Sequence, residues 1–505
     1  MAPTLKPALV FIGFMAAGKS TAAREAATAL GVTADDADAL LEAKFGEPIE
    51  TVFDREGEAA FRAAEQELAV KLLDDADGGV IALGGGALQS DEVRSALERH
   101  VTVLVDVDLD TAWARAHGHG RPLARDRAAF EALFHARAPV YDAAANAVVP
   151  GMRTAAVRGA LGAIQAIPEG HRLLWATSAS GDYPVWVGPL ERAPWPSGGR
   201  RIVISDETVA QLHGARMPEP AGSIEIPPGE EHKTLHTAER VWHALVAQGA
   251  TRADQVVALG GGVVGDMAGF CAATYQRGMP VVHVPTTLVA QVDSAYGGKT
   301  GVDLPQAKNY VGAYHQPAAV LTDPGLLQTL PPAEMAAGFA EVVKTALIAG
   351  GALWDRVAQG AAVDEAIIAG CARTKLRVVA ADERDTGARQ ALNLGHTVGH
   401  AIETATGYVR YRHGEAVGLG LLVALRLSSQ DALRELVGDL LSGAGLPTQL
   451  DGADPEQVVA ATARDKKRTG ESVPFVLVER PGRVTTGHPV AAADLLSAVR
   501  ELCGR

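Results

Sequence analysis

The sequence predicts an α/β protein that gives way to a helical part, and three observations carry that expectation. Up to about Leu330, apolar strand-like runs alternate with Ala/Leu-rich helical patterns, the signature of parallel strands joined by helices. Beyond Pro332 the strand signals nearly vanish and helix follows helix to about residue 462, punctuated at Gly350-Gly351, Gly407 and Gly443 to Pro447. A break at Ile167-Pro168-Glu169-Gly170 separates a helix from a new strand over 171–178. A chain of 505 residues is too long for one ordinary core. We therefore divide it into residues 1–166, a linker at 167–171, and two further parts at 172–328 and 329–505.

Composition narrows the function. A formal net charge of −14 and a pI near 5.6 argue against a general nucleic-acid binder, whose footprint is basic. Cys271, Cys371 and Cys503 are far apart and odd in number, which excludes a disulfide framework and a cysteine-paired zinc site. A reducing, cytoplasmic setting is expected. The run LVFIGFM passes straight into a glycine-rich loop and reads as a buried strand rather than a signal peptide. No stretch reaches the roughly 18 uninterrupted apolar residues of a membrane span, so a soluble protein with small-molecule partners is expected.

The first element is that strand, and after it Gly13 to Ser20 match G-x-x-x-x-G-K-S between strand and helix. Backbone N–H groups there would cradle phosphates, with Gly13, Gly18, Lys19, Ser20 and Thr21 holding a nucleotide and Ser20 its magnesium. Asp36 and Asp38 follow at a helix start, where carboxylates also serve as caps; beside a phosphate loop they suit magnesium and a substrate hydroxyl. Arg62, Gly84-Gly85-Gly86, Arg121 and Arg137 add guanidinium groups and a close backbone approach, suited to an anionic acceptor.

Over roughly residues 8–150 these motifs, with FxxxGExxFR, LGGGA and RPL, resemble shikimate kinases in order and spacing. The resemblance implies a phosphate-loop kinase fold, a parallel sheet with flanking helices, and ATP-dependent phosphorylation of shikimate. Asp38, Arg62, Gly85 and Arg137 would hold shikimate, Asp36 would act through the magnesium shell, and Arg121 on a lid would stabilise the transferring phosphoryl. Two departures stand out: Ala16 where the family usually has glycine, and a short lid segment, AHGHGRPLARD.

In the middle part the strand IVISD ends at Asp206. The turns PGEEHKT (Glu230, Lys233) and LGGGVVGD read as loops at strand ends, the second placing backbone N–H groups at a helix start without the strict G-x-G-x-x-G spacing. The strand VVHVPTT leads to QVDSAYGGKTGVD, read here as a loop, where Asp293, Lys299, Lys308 and Asn309 gather among glycines. In the helical part Glu341 and Lys344 share a face, an arrangement that a surface ion pair would also produce. His396 and His400 are four apart and His413 lies beyond a turn. Spacing allows His396 with His400 as a zinc pair, or one of them with His413 and a distant carboxylate.

GGGVVGDMAGFCAATYQRG, VPTTLVAQVDSAYGGKTGVD, AEVVK and LNLGHTVGHAIE with HGEAV resemble 3-dehydroquinate synthases over roughly residues 172–490. The resemblance implies a Rossmann-like NAD-binding domain followed by a helical metal-binding domain. Glu341, His396 and His413 would bind zinc or cobalt, leaving His400 for proton transfer. Asp206, Glu230, Lys233, Gly261, Gly262, Val263, Asp266, Thr286, Thr287, Thr329 and Leu330 would bind NAD. Arg277, Asp293, Lys299, Lys308, Asn309, Lys344, Lys375, Arg389, Asn393 and one or both of Lys466 and Lys467 would meet the substrate, 3-deoxy-D-arabino-heptulosonate 7-phosphate. Asp385 stands where the family usually has glutamate, and its counterpart takes part in proton transfer.

The expectation is thus a fusion with two activities, cofactors NAD, zinc or cobalt, ATP and magnesium, and an open expectation of a homodimer through the C-terminal unit. A related sugar-phosphate cyclase, a metal-dependent polyol dehydrogenase, or a nucleotide-sensing first domain are the alternatives.

Overall fold

The structure is a computed structural model that describes residues 6–118, 121–462 and 474–504. The chain divides into two compact units, Met1–Thr177 with Pro184–Trp186, and Ser178–Tyr183 with Val187–Arg505.

The first unit holds strands β1 (Leu9–Ile12), β2 (Ala34–Asp36), β3 (Val80–Ala82), β4 (Val101–Asp106), β5 (Ala147–Pro150) and β6 (Arg172–Ala176). They form a parallel sheet in the order β2-β3-β1-β4-β5-β6. All residues of β1 and β3 and nearly all of β4 are buried, as strands covered by helices on both faces must be. The chain leaves β1 for the sheet edge at β2, returns to β3, then crosses to β4. Strand order reverses about β1, which opens a crevice beyond the strand ends between the loops after β1 and β3. A small satellite core of Leu41, Val52 and Phe61 fixes the helices Ala37–Phe45, Ile49–Glu56 and Glu58–Asp74 that carry the acidic and arginine side chains.

β7 (Tyr183–Val187) contains residues of both units. In the second unit β8 (Arg201–Asp206), β9 (Gly222–Ile226), β10 (Gln255–Gly260), β11 (Val281–Pro285) and β14 (Ala319–Thr322) form a parallel sheet in the order β14-β11-β10-β8-β9. Here too the order reverses, between β8 and β10, so a crevice lies between the ends of Asp206 and Gly260. The stretch 291–303 is not the loop expected from its glycines. Ala290–Ser294 is a π-helical turn, and Lys299–Leu304 is strand β12 of an antiparallel hairpin with β13 (Ala307–Tyr314). Gly297 and Gly298 take φ of +83° and +66° to make the bend before β12, and it is these turn residues that obscure the strand pattern.

From Pro332 onward the helices Pro332–Ala349, Gly351–Ala358, Glu365–Ala381, His396–Ala405, His413–Leu427 and Asp431–Gly443 surround one apolar core containing Val343, Leu347, Val398, Ile402, Val417 and Leu421. Near the C-terminus the chain returns to strand with β15 (Pro474–Arg480). Its antiparallel partner β16 (Arg483–Pro489) is polar and half-exposed, which hid it from a reading by apolar runs. No helix among the described residues is long and apolar enough to cross a membrane.

Candidate active sites

In the first unit the phosphate loop ends at Gly18, whose φ of +101° turns the chain into helix Lys19–Leu30 with no side-chain cap on its first amides. Those amides are therefore available to an anion. Lys19 is buried, folds back on its own loop with Nζ donating to the Phe14 carbonyl at 3.1 Å, and burial lowers its pKa. Ala16 holds a left-handed φ of +60°. Asp36 caps helix Ala37–Phe45 through the amide of Asp38 at 3.1 Å. The cap takes one oxygen, Oδ1, of the carboxylate expected to serve magnesium.

Around Gly85 the expected acceptor residues come together. Arg137 Nη1 donates to the Gly85 carbonyl at 3.0 Å, and a Cβ on Gly85 would lie 3.3 Å from the Met15 amide nitrogen of the phosphate loop. A Cβ on Gly84 would meet Asp38 Oδ1 at 2.9 Å, and one on Gly86 would overlap Arg62. Gly84 and Gly86 thus leave the space in which Asp38 and Arg62 stand. Two residues that motif reading missed complete the wall: buried Glu65, 2.5 Å from Arg62 Nη1, and Tyr141, which donates to the Gly85 carbonyl at 2.5 Å. Glu65 lies three residues after Arg62 on one helix face, a spacing that could have found it. Arg121 precedes the turn Pro122–Ala124 and is close enough to lower the Lys19 pKa. Residues 119–120 of the lid segment lie outside the described residues.

In the second unit Gly261 and Gly262 follow β10 directly and open helix Gly262–Thr274, whose N-terminus also has no side-chain cap. A Cβ on Gly261 would lie 2.8 Å from Thr287 Cγ2, so this turn leaves no room for a side chain. Thr286 Oγ1 is buried with no hydrogen-bond partner, an orphan that a bound nucleotide could satisfy. Lys233, buried, reaches Asp266 at 2.6 Å and Glu230 at 3.7 Å; burial opposes its charge, but these carboxylates raise its pKa. Asp206 caps helix Glu207–His213 through Val209 at 2.9 Å. Thr329 Oγ1 meets His213 at 2.8 Å, with Leu330 next to it. Val263 follows in the first turn of helix Gly262–Thr274.

The helical part brings Glu341, His396 and His413 to one point. His396 and His413 present Nε2 to Glu341 Oε1 at 3.5 and 3.4 Å, and one ligand atom from each residue lies within 4.8 Å of the others. Small residues make the approach possible. A Cβ on Gly399 would stand 3.2 Å from the Ala416 carbonyl, and one on Gly414 or Gly420 would overlap the carbonyl of Ala337 or Gly395. Helices Pro332–Ala349, His396–Ala405 and His413–Leu427 therefore touch backbone to backbone. His400 stands beside the trio, its ring 5.4 Å from that of His396 and 5.9 Å from that of His413. His400, Glu403 and His413 form a second potential ligand group that shares His413.

The electrostatics of this centre ask for positive charge. Burial disfavours the Glu341 carboxylate, but Lys344 and the two imidazoles hold it ionised, well below the usual carboxylate range. Burial likewise opposes charge on His413, yet Glu341 and Glu403 push its pKa up to about 10. Lys344 Nζ comes to 2.5 Å from Glu341 Oε2, but no donor meets either Glu341 oxygen with hydrogen-bond geometry. An ionised buried carboxylate without a directed donor, facing two imidazole nitrogens, is a fitting set for a divalent cation.

Beside it Lys344 reaches Asp293 at 3.4 Å, and Asp293 in turn pairs with Lys375. Burial raises the Asp293 pKa, but the two ammonium groups outweigh it and hold it at about 2. Lys375, buried, is pushed down to about 8 by desolvation. The Glu341–Lys344 pair is thus not a surface pair, since neither side chain exceeds 1% exposure. Lys299 pairs with Asp385 at 2.6 Å, and Asp385 holds a φ of +60°. Arg389 is buried and donates to the carbonyls of Glu383 and Gly297 at 2.6 and 3.1 Å, while Asn393 ends the same short helix, Ala388–Asn393. Lys233 donates to Asn309 Oδ1 at 2.7 Å, and Lys308 lies 3.3 Å from Glu403. Arg277 is exposed, with a φ of +67°, and shares no hydrogen bond or ion pair with the other candidates among the described residues. Lys466 and Lys467 lie outside the described residues.

A phosphate-loop α/β unit and a unit that couples a parallel sheet to a helical carboxylate–dihistidine centre together define a two-activity enzyme. Comparison with known proteins gives the families. Residues 15–167 match the shikimate kinase family model; 223–337 and 338–468 match the N-terminal and C-terminal models of 3-dehydroquinate synthase. The 3-dehydroquinate synthase of Halorhodospira halophila is 44% identical over 351 residues, spanning 64% of this chain and 99% of that relative. A solved 2-deoxy-scyllo-inosose synthase complexed with carbaglucose-6-phosphate, NAD+ and Co2+ is 26% identical with a TM-score of 0.59, covering 65% of this chain and 99% of its own. A 2-epi-5-epi-valiolone synthase from Streptomyces hygroscopicus subsp. jinggangensis with NAD+ and Zn2+ bound is 27% identical with a TM-score of 0.60, at the same coverages of 65% and 99%. The chain belongs to the 3-dehydroquinate synthase family and carries a shikimate kinase domain fused on its N-terminal side.

Proposed function

We propose that the second unit converts 3-deoxy-D-arabino-heptulosonate 7-phosphate to 3-dehydroquinate and phosphate, and that the first phosphorylates shikimate from ATP, in the cytoplasm. The observation that carries the reading is the buried Glu341–His396–His413 centre, linked through Lys344 to Asp293 and Lys375. When bound there, zinc or cobalt would polarise a substrate alcohol, and NAD in the Gly261-Gly262 crevice would accept and return a hydride. The NAD-bound and metal-bound related cyclases support this assignment.

The chain's own groups then have distinct tasks. Lys344, held between two carboxylates, keeps a fixed positive charge beside the reacting alcohol. Lys299, Lys308, Asn309, Lys375, Arg389 and Asn393 bind the phosphate and hydroxyls, with charge-assisted hydrogen bonds doing most of the orienting. His400 carries protons, and Asp385, one methylene shorter than the usual glutamate, acts through its ion pair with Lys299. In the first unit Arg62 and Arg137 hold the shikimate carboxylate and hydroxyls, and Asp38 accepts the proton of the attacking hydroxyl. Lys19 and Arg121 stabilise the transferring phosphoryl, with magnesium held through Ser20 and Asp36. The two reactions are not consecutive, since dehydroquinate must be dehydrated and reduced before a kinase could use it.

The test is to incubate the purified chain with the heptulosonate phosphate, NAD and zinc, and separately with shikimate and ATP. Phosphate release in the first and shikimate-dependent ADP release in the second are expected. Release of NADH in place of phosphate would instead favour a dehydrogenase, and ATP binding without ADP release a nucleotide-sensing first domain.

A further inference from the structure

Of the buried ionisable groups near the metal centre, Glu403 has no role in the reading above. It lies on helix His396–Ala405, is 2% exposed, and divides its two oxygens between two partners. Oε2 stands 3.5 Å from His413 Nδ1, and Oε1 stands 3.3 Å from Lys308 Nζ on the β12–β13 hairpin. We infer that Glu403 is a positioning residue that orients His413 toward the metal and ties Lys308 to the same point.

The chemistry follows from the imidazole. A metal-ligating ring is neutral, with one N–H and one lone pair, so a carboxylate facing Nδ1 would keep the proton there and leave the Nε2 lone pair for an ion between His413 and Glu341. Geometry separates this role from ligation. His400, Glu403 and His413 could themselves surround an ion, but the Glu403 oxygens already face the Lys308 ammonium and the His413 ring. Glu341 Oε1, by contrast, faces the Nε2 atoms of both His396 and His413, so an ion held by the two rings would meet that oxygen rather than Glu403. Lys308 also stands 4.6 Å over the Tyr408 ring and 3.8 Å from Glu230 of the nucleotide side. One carboxylate thus sets both a metal ligand and a cation proposed to bind substrate.

The inference rests on the metal reading, and the experiment separates the two. Zinc affinity of the full chain is measured by competition with a chromophoric chelator for the parent, Glu403→Ala, Glu403→Gln, His413→Ala and Glu341→Ala, alongside KM and kcat for phosphate release. Loss of an outer partner of this kind weakens metal binding by about 10–100-fold, the effect expected for Glu403→Ala, together with a raised KM from unanchored Lys308. Glu403→Gln, whose amide oxygen can still accept from Nδ1, should lose more than about twofold but less than Glu403→Ala. Zinc binding within twofold of the parent in Glu403→Gln or Glu403→Ala would overturn the inference; if the alanine variant does not fold, the glutamine variant decides. Glu403→Gln losing zinc as completely as His413→Ala would also overturn it, making Glu403 a ligand. Zinc retained by both His413→Ala and Glu341→Ala would defeat the metal reading instead.

Discussion

The two units build their candidate sites in opposite ways. The first builds its site from backbone and absent side chains: uncapped amides after Gly18, and Gly84 and Gly86, which leave room for Asp38 and Arg62. The second builds from buried full charges, with Glu341, Lys344, Asp293 and Lys375 linked inside the protein. A site made of backbone tolerates no added atoms, whereas a site made of charges tolerates no missing ones, because each removal leaves an uncompensated buried ion. Mutation should therefore damage them by different routes.

The largest break should come from His413→Ala, which is expected to remove bound zinc and abolish phosphate release while leaving shikimate-dependent ADP release within about twofold. Zinc analysis of the purified variant and the two assays in parallel check this; joint loss would show that the two sites are not separable. His400→Ala sharpens the same point by keeping zinc and losing turnover by about 10²–10⁴-fold, the usual contribution of a proton-transfer group. On the other side, Lys19→Met should lower ADP release by about 10²–10³-fold with phosphate release unchanged, as expected for one donor to a developing charge.

A smaller effect comes from pH. Burial has pushed the Lys375 ammonium down to about 8, so its charge is complete below that pH and is lost above it. The KM for the heptulosonate phosphate should then rise above pH 8, by up to about tenfold per pH unit, and Lys375→Arg should flatten the rise. A flat profile in the parent would remove Lys375 from phosphate binding. The smallest effect is expected at Ala16, whose φ of +60° is strained for any side chain. Ala16→Gly should stabilise the first unit by about 0.5–1 kcal/mol, strain relief being partly offset by the greater freedom of glycine in the unfolded chain. Thermal denaturation monitored with the kinase assay reads this out.

The first site was more legible in the sequence than the second for the same reason. A phosphate loop is contiguous, so Gly13 to Ser20 carry motif and context together. The metal centre joins Glu341 to histidines more than 50 residues away, and spacing alone left open which imidazoles would face it. Only the crossing of three helices brings His396 and His413, rather than His400, against Glu341. Glu65 escaped notice because a lone glutamate among helical residues looks like solvated surface, whereas Glu403 stands out beside the histidines in the sequence but without a role. Both are buried, and both share a helical face with a residue already under suspicion. The β12–β13 hairpin was hidden by the glycines that turn the chain into it.

The backbone contacts at Gly399, Gly414 and Gly420 have a further consequence. Helices that meet without intervening side chains have almost no rotamers with which to adjust, so the imidazoles they carry are set before any ion arrives. Metal capture at such a preorganised site requires little ordering of the chain, and its free energy goes into affinity rather than into folding. The chelated, metal-free protein should keep the slow amide hydrogen exchange of helices His396–Ala405 and His413–Leu427, behaving as a rigid socket and not as a domain that its metal assembles.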